Sequence, residues 1–222
     1  ELQRLAERFA VREARYSGAM STYRKDTSPA IIRDMDKCIM CRRCETMCNE
    51  VQTCGVLSGI NRGFNAVVSP AFEMNLVDST CTFCGQCVAV CPVGALVERD
   101  YTWEVVNARA DPDKVTVVQT APAVRAALGE EFGLPPGTSV TGKMAAALRK
   151  IGFDHVFDTD FAADLTIMEE ASEFLDRLTR HLAGDKTVKL PILTSCCPAW
   201  VNFFEHQFPD MLDIPSTAKS PQ

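Results

Sequence analysis

Nowhere in these 222 residues does an apolar run approach the roughly 18 consecutive residues that cross a bilayer, so a transmembrane helix is excluded. An export signal is missing as well, because charges interrupt every apolar stretch of Glu1–Ala10. Leu2, Leu5, Ala6 and Phe9 keep helical spacing there, which predicts a packed surface helix. Positive charge is short: 23 Lys and Arg face 29 Asp and Glu, a net charge of −6. A general nucleic-acid binder would need the opposite balance. The three histidines show no ligand spacing and read as structural residues. With 46% apolar and 23% charged residues, and only 12 Gly and 12 Pro, disorder and collagen-like structure are also excluded. The length allows one or two domains.

Cysteine is what the chain has in excess, eleven in all. Nine lie between residues 36 and 100, and eight of these form an internal repeat. Cys38, Cys41, Cys44 and Cys48 follow C-x-x-C-x-x-C-x-x-x-C, and Cys81, Cys84, Cys87 and Cys91 repeat it. This spacing suits a [4Fe–4S] cube. Three thiolates in one tight loop wrap three corners, and the fourth, too close along the chain, reaches the other cluster. The expected sets are therefore Cys38, Cys41, Cys44 with Cys91, and Cys81, Cys84, Cys87 with Cys48. Zinc is the competing reading, but structural zinc usually pairs two knuckles across a longer gap. Disulfides conflict with the cytoplasmic placement that the missing export signal suggests. Arg42 and Arg43, inside the first loop, either offset cluster charge or are solvated. Cys54 belongs to neither run and reads as a free buried thiol.

Composition and periodicity divide the chain into a helical connector over 1–35, a small cysteine-rich domain over 36–100, and an α/β region over 101–222. The connector reads as a helix followed by a polar stretch from Ser17 to Asp26. A strand and turn are expected in Gly55–Gly63. In the last region strands are expected at Val115–Val118, His155–Phe157 and Leu190–Leu193. Helices are expected at Val124–Phe132, Lys143–Ile151, Asp164–His181 and Pro198–Phe208. Gly137–Met144 nearly spells a phosphate loop, but Met144 stands where the Mg²⁺-binding hydroxyl belongs, so nucleotide binding there is set aside.

A second chemical centre is marked by Thr194-Ser-Cys-Cys-Pro-Ala-Trp200, on a strand-to-helix turn. Adjacent cysteines point into different volumes, and a helix N-terminus favours thiolate. The residues alone support a reactive or metal-bound thiol at Cys196 or Cys197. Trp200 reads as a core anchor. This stretch resembles the first active-site signature of [FeFe]-hydrogenases, T-S-C-C-P-x-W. The resemblance extends through Thr120–Arg125, Val140–Lys143, Phe157–Glu170 and Ser216–Gln222, and tandem ferredoxin-like runs are also family architecture. The cysteine-rich part is most similar to catalytic subunits of multisubunit NAD(P)-coupled hydrogenases.

The resemblance implies an α+β fold in which a two-[4Fe–4S] ferredoxin-like domain precedes the first part of an α/β catalytic domain. It implies reversible interconversion of H2 with protons and electrons at an H-cluster, a [4Fe–4S] cube bridged to a two-iron unit. By resemblance Cys197 ligates the cube and Cys196 passes protons, with a path continuing through Glu170, Ser216 and Glu173. Expected partners are H2, protons, and flavin- or NAD(P)-binding and [2Fe–2S] subunits or a ferredoxin. Taken alone, Glu169, Glu170 and Glu173 would be a solvated acidic face. The family's cube takes four cysteines, and none follows Cys197 here. The expectation is a chain that continues beyond Gln222. The alternatives are a non-catalytic electron-transfer subunit and a hydrogenase-like iron–sulfur assembly protein lacking the two-iron unit.

Overall fold

The computed structural model describes residues 2–13 and 22–222. They form two compact units, residues 1–99 and 100–222. Residues 14–21, which include the first half of the expected polar stretch, lie outside the described residues.

In the first unit, helix α1 (Leu2–Arg8) forms where the spacing predicted it. It is not packed as expected, since Phe9 stays 70% exposed and Leu5 is exposed as well. Residues assigned to the connector also behave differently. Strands β1 (Asp26–Thr27) and β2 (Ile31–Arg33) belong to the sheet of this unit. A second hairpin joins β3 (Ser58–Ile60) to β4 (Val67–Ser69), the strand and turn expected around Gly55–Gly63. Strand β5 (Leu96–Glu98) pairs antiparallel with β2, Ile31 opposite Glu98 and Arg33 opposite Leu96. These strands supply the core: Ile31, Leu96 and, on the fully buried β4, both Val67 and Val68 are buried with Met35, Leu57 and Leu76.

A buried ionic staple lies within this core. The Asp26 carboxylate accepts hydrogen bonds from Ser28 N and Oγ and from Leu76 N, at 2.6–3.0 Å. Arg33 donates to the Val68 and Met74 carbonyls. Its Nε, 3.6 Å from Asp26, is too far to hydrogen-bond and has no partner. Burial lowers the Arg33 pKa despite the neighbouring Asp26. The staple ties β1 and β2 to the loop that leads into the second cysteine run.

Each cysteine run opens as a loop and closes as a short helix, α2 (Arg43–Thr46) and α3 (Gln86–Ala89). A π-turn over Met47–Val51 extends α2 and carries Cys48.

The second unit begins with α4 (Thr102–Ala110), which the sequence reading did not anticipate. Its core is a parallel pair, β6 (Val117–Thr120) and β7 (His155–Asp158), with Val117 opposite His155. The strand expected at Val115–Val118 is thus displaced by two residues, and it is not buried, since Val117 is 58% exposed. Between the strands, α5 is only Val124–Ala127, and a separate 3-10 turn covers Glu130–Phe132. Gly129 lies between the two pieces of the single helix expected there, where a Cβ would come within 3.3 Å of the Thr138 carbonyl and Val140. Helix α6 (Thr141–Ile151) ends on left-handed Gly152.

Helix α7 (Thr159–Leu182) starts five residues before the expected Asp164, because the Asp158 side chain caps the Asp160 N–H. Helix α8 (Pro198–Gln207) has Pro198 in its first turn. The strand expected at Leu190–Leu193 is absent. Pro191 has no N–H for a ladder, and only an isolated parallel bridge from Leu193 to Pro215 forms.

Candidate cluster sites and the thiol turn

The two cysteine loops share one backbone plan. In the first, Met40 and Arg42 take positive φ, 54° and 60°; in the second, Phe83 and Gly85 do so, 55° and 76°. The reversals fall at matching places, one residue before and one after the middle cysteine. They turn backbone N–H groups inward, so Met40 N lies 3.3 Å from Cys38 Sγ and Phe83 N 3.4 Å from Cys81 Sγ. An L-residue pays for the left-handed region where Gly does not. Arg42 occupies it while its guanidinium covers Gly59 and chelates Glu45 at 2.5–2.6 Å. Its charge is therefore engaged by Glu45, and Arg43 is exposed.

The thiols fall into two neighbourhoods. Burial pushes the Cys44 thiol up to about 11, and the other thiols that bear on it are Cys38, Cys91 and Cys41. Burial pushes Cys81 up to about 11 beside Cys48, Cys84 and Cys54. Cys87 rises to about 12, for the same first reason, beside Cys81, Cys84, Cys44 and Cys48. A narrow, apolar-walled cavity is lined by Cys48, Cys81, Cys84 and Cys87 together, along with Cys54, Ile31 and Leu76. Cys91 is the contrasting case. Burial raises its pKa, but N–H groups of Val93, Leu96, Ala95 and Gly94 outweigh this and lower it. Among the described residues no three His, Cys, Asp or Glu side chains form a ready single-ion site. The donor chemistry, eight thiols in two groups of four beside inward-turned N–H groups, fits two iron–sulfur cubes. Thiols held protonated by burial would release protons on binding iron.

In the second unit, Cys197 is the N-cap of α8, and both Cys196 and Cys197 are exposed. The turn is held by α7 from below. Glu170 Oε1 accepts the N–H of Ser195, next to Cys196, at 3.1 Å. One helical turn on, Glu173 Oε2 accepts from Ser216 Oγ at 2.7 Å and from Thr217 N at 3.0 Å. Arg177 donates to Glu173 Oε1 at 2.5 Å and to the carbonyls of Asp213 and Pro215. Ser195 Oγ donates to the Ala218 carbonyl, and Ser216 N to the Leu193 carbonyl. Burial raises the Glu173 pKa, but hydrogen bonds from Ser216 and Thr217 and the Arg177 guanidinium bring it below its ordinary value. Ser195 and Ser216 are both buried.

Glu170, Glu173 and Ser216 thus come together around the Cys196–Cys197 turn, joined directly from Glu173 to Ser216 and, through Ser195, from Glu170 to the thiol segment. Glu169, by contrast, is exposed. Sequence reading missed Arg177, although its i+4 spacing from Glu173 was a legible signal. Trp200 packs on Phe204 with ring centroids 5.2 Å apart, and Phe204 on Phe208.

Residues 114–222 match the family described as the iron-only hydrogenase large subunit, C-terminal domain. Residues 28–97 match the ferredoxin-like domain of NADH-quinone oxidoreductase subunit 3. The chain is 81% identical, over its full length, to 38% of the NADP-reducing hydrogenase subunit HndD of Solidesulfovibrio fructosivorans. It is 39% identical, over 90% of its length, to 34% of iron hydrogenase 1 of Clostridium pasteurianum. Against a solved variant of the [FeFe]-hydrogenase HydA1 from Chlamydomonas reinhardtii, the TM-score is 0.50 at 45% identity, covering 56% of this chain and 31% of that one. The chain spans between a third and two fifths of the curated relatives HndD and iron hydrogenase 1. A ferredoxin-like cysteine unit followed by a laced Cys-Cys turn on α7 and α8, matched by both domain families, places this chain in the iron-only, or [FeFe]-, hydrogenase family.

Proposed function

We propose that this chain is the electron-relay and proton-delivery part of a hydrogenase that interconverts H2 with two protons and two electrons. The observation that carries the reading is the grouping of thiols. Cys44 neighbours Cys38, Cys41 and Cys91, while Cys48, Cys81, Cys84 and Cys87 line one cavity. Each set would hold one [4Fe–4S] cluster, the fourth ligand crossing from the other run. The two thiol sets in one small unit would hold groups able to pass single electrons between partner subunits and the catalytic centre.

The H-cluster, when bound, supplies the metal at which H2 is formed or split. Cys197, at the head of α8, would provide one ligand to its cube. This stretch holds only one other cysteine nearby, so the rest of the ligand set comes from elsewhere. Cys196 would exchange a proton with the substrate side. Glu170, on the peptide N–H beside it, and Glu173 with Ser216 would carry that proton along α7. The buried Ser216 hydroxyl both donates and accepts, as a relay group must. Hydrogen bonds from Ser216 and Thr217, together with Arg177, hold the Glu173 carboxyl below its ordinary value. Electrons would exchange with NAD(P) through flavin and [2Fe–2S] partner subunits or a ferredoxin. No helix among the described residues is long and apolar enough to cross a membrane. A cytoplasmic setting would keep the thiols reduced for metal.

The intact, maturated polypeptide, prepared anaerobically, tests this. Expected are H2 uptake and evolution, infrared bands of CO and CN⁻, and about eight irons in the cysteine-rich unit. Zinc there in place of iron, or an iron-loaded protein silent toward H2, would end the reading.

A further inference from the structure

Cys54 is the cysteine outside both runs, and its surroundings are not those of an inert core thiol. Its side chain is 9% exposed and lines the same cavity as Cys48, Cys81, Cys84 and Cys87. Its backbone N–H donates to the Cys48 carbonyl at 2.9 Å, which fixes it against that ligand's own turn. Its Sγ lies 3.5 Å from Oγ1 of Thr82, a residue 4% exposed and seated between Cys81 and Cys84. The Gln52 carbonyl is a weak acceptor at 3.6 Å. Cys84 and Cys48 face the same narrow, apolar-walled cavity as this thiol. Among the described residues no cysteine outside the two runs accompanies the Cys38, Cys41, Cys44 and Cys91 set, whose loop instead carries the Arg42–Glu45 pair.

We infer that Cys54 is a positioning residue that raises the reduction potential of the Cys48/Cys81/Cys84/Cys87 cluster by donating its S–H to the Cys84 sulfur. The inference rests on the two-cluster reading above. A cluster thiolate carries charge that a carbonyl lacks, so the Cys54 proton turns from Gln52 toward Cys84 once iron is bound. The Thr82 hydroxyl donates to Cys54 Sγ and holds the thiol in that orientation. Hydrogen bonds to cluster sulfurs favour the reduced, more negative state and raise its potential. Burial keeps water from competing for the donor. The two clusters are thereby made unequal, and the Cys54-side cluster becomes the better electron acceptor.

The test is an EPR-monitored redox titration of the intact iron-loaded protein with Cys54→Ala and Cys54→Ser. In Cys54→Ala one cluster signal is expected at lower potential, with an about threefold smaller reduced-to-oxidised ratio at a fixed potential, while the others stay in place; tenfold would be about 59 mV for one electron. Cys54→Ser keeps a donor and should return that signal to the wild-type value or above it. Unmoved midpoints in Cys54→Ala, or an equal displacement of every signal, overturn the inference. If Cys54→Ala fails to retain iron, Thr82→Val is titrated instead: a lowered potential of one cluster supports the inference and unmoved potentials overturn it. Absence of iron from the wild-type protein itself would sink the two-cluster reading.

Discussion

The first unit hides Ile31, Leu57, Val67, Val68, Leu76 and Leu96 around its cysteines, whereas the second, though longer, buries only Val140, Met144, Phe204 and Ile214 among its described apolar side chains. On α7, Phe161, Leu165, Ile167 and Met168 remain exposed. The polar chemistry runs the other way. Cys196 and Cys197 are held in place chiefly by hydrogen bonds: Glu170 to Ser195, Glu173 to Ser216 and Thr217, Arg177 to three carbonyls. One unit is organised by apolar burial around its thiols, and the other by a charged lattice on one helix face. The first should therefore respond to loss of metal or of a buried partner, and the second to single polar substitutions.

The largest contrast is expected for Cys91→Ala. If the fourth ligand crosses between runs, this change removes the same EPR signal as Cys41→Ala and spares the one lost in Cys84→Ala. Loss of the Cys84-type signal instead would show each run holding its own cube. Because binding and folding are coupled, the first unit should also unfold at lower temperature.

Next is Asp26→Ala, which strands the buried Arg33 guanidinium and orphans the Leu76 and Ser28 N–H groups. Breaking a buried pair on one side costs about 3–5 kcal/mol, read as earlier thermal unfolding together with faster iron loss. The second unit's melting should not follow.

Glu173→Gln tests the other side of the contrast. The amide still accepts from Ser216 but cannot take up a proton. H2 evolution by the intact maturated enzyme should fall about 100-fold, with iron content and first-unit stability unchanged. An unaffected rate would return Glu173 to a structural role.

A smaller effect concerns acid. The Glu173 carboxyl is held below its ordinary 4.5. It therefore contributes stability in full above that value and loses it as pH falls through its lower folded pKa. Melting of the second unit, followed from about pH 6 to about pH 3, should decline more steeply in wild type than in Glu173→Gln. The smallest change is expected for Arg42→Gly. Relief of a left-handed residue is set against loss of an exposed ion pair, and the melting temperature should scarcely move.

Much of the candidate site was legible in the residue order, because its signals are local. A cysteine every third residue sets the reach of a loop around a cube, and Ser-Cys-Cys-Pro sets a strand-to-helix turn whatever surrounds it. Helices α6, α7 and α8 follow from period and caps, to within a few residues. What failed were features that depend on partners. Residues 26–33 read as connector, since strands this short declare themselves only when β5, over sixty residues later, pairs with β2 and β2 with β1. Leu190–Leu193 has the apolar run of a strand, but Pro191 lacks a donor, and only Leu193 bridges, to the Ile214–Ser216 segment.

By itself, then, the sequence determined the thiol spacing, the helix periods and the family, because each depends on residues a few positions apart. Only the tertiary structure decided which carboxylates leave the solvated face of α7 to grip Ser195 and Ser216. Only it decided that Arg42 turns to Glu45, and that Cys54 shares a wall with four other thiols. Those outcomes depend on desolvation and on groups brought together from distant segments, and no local pattern encodes either.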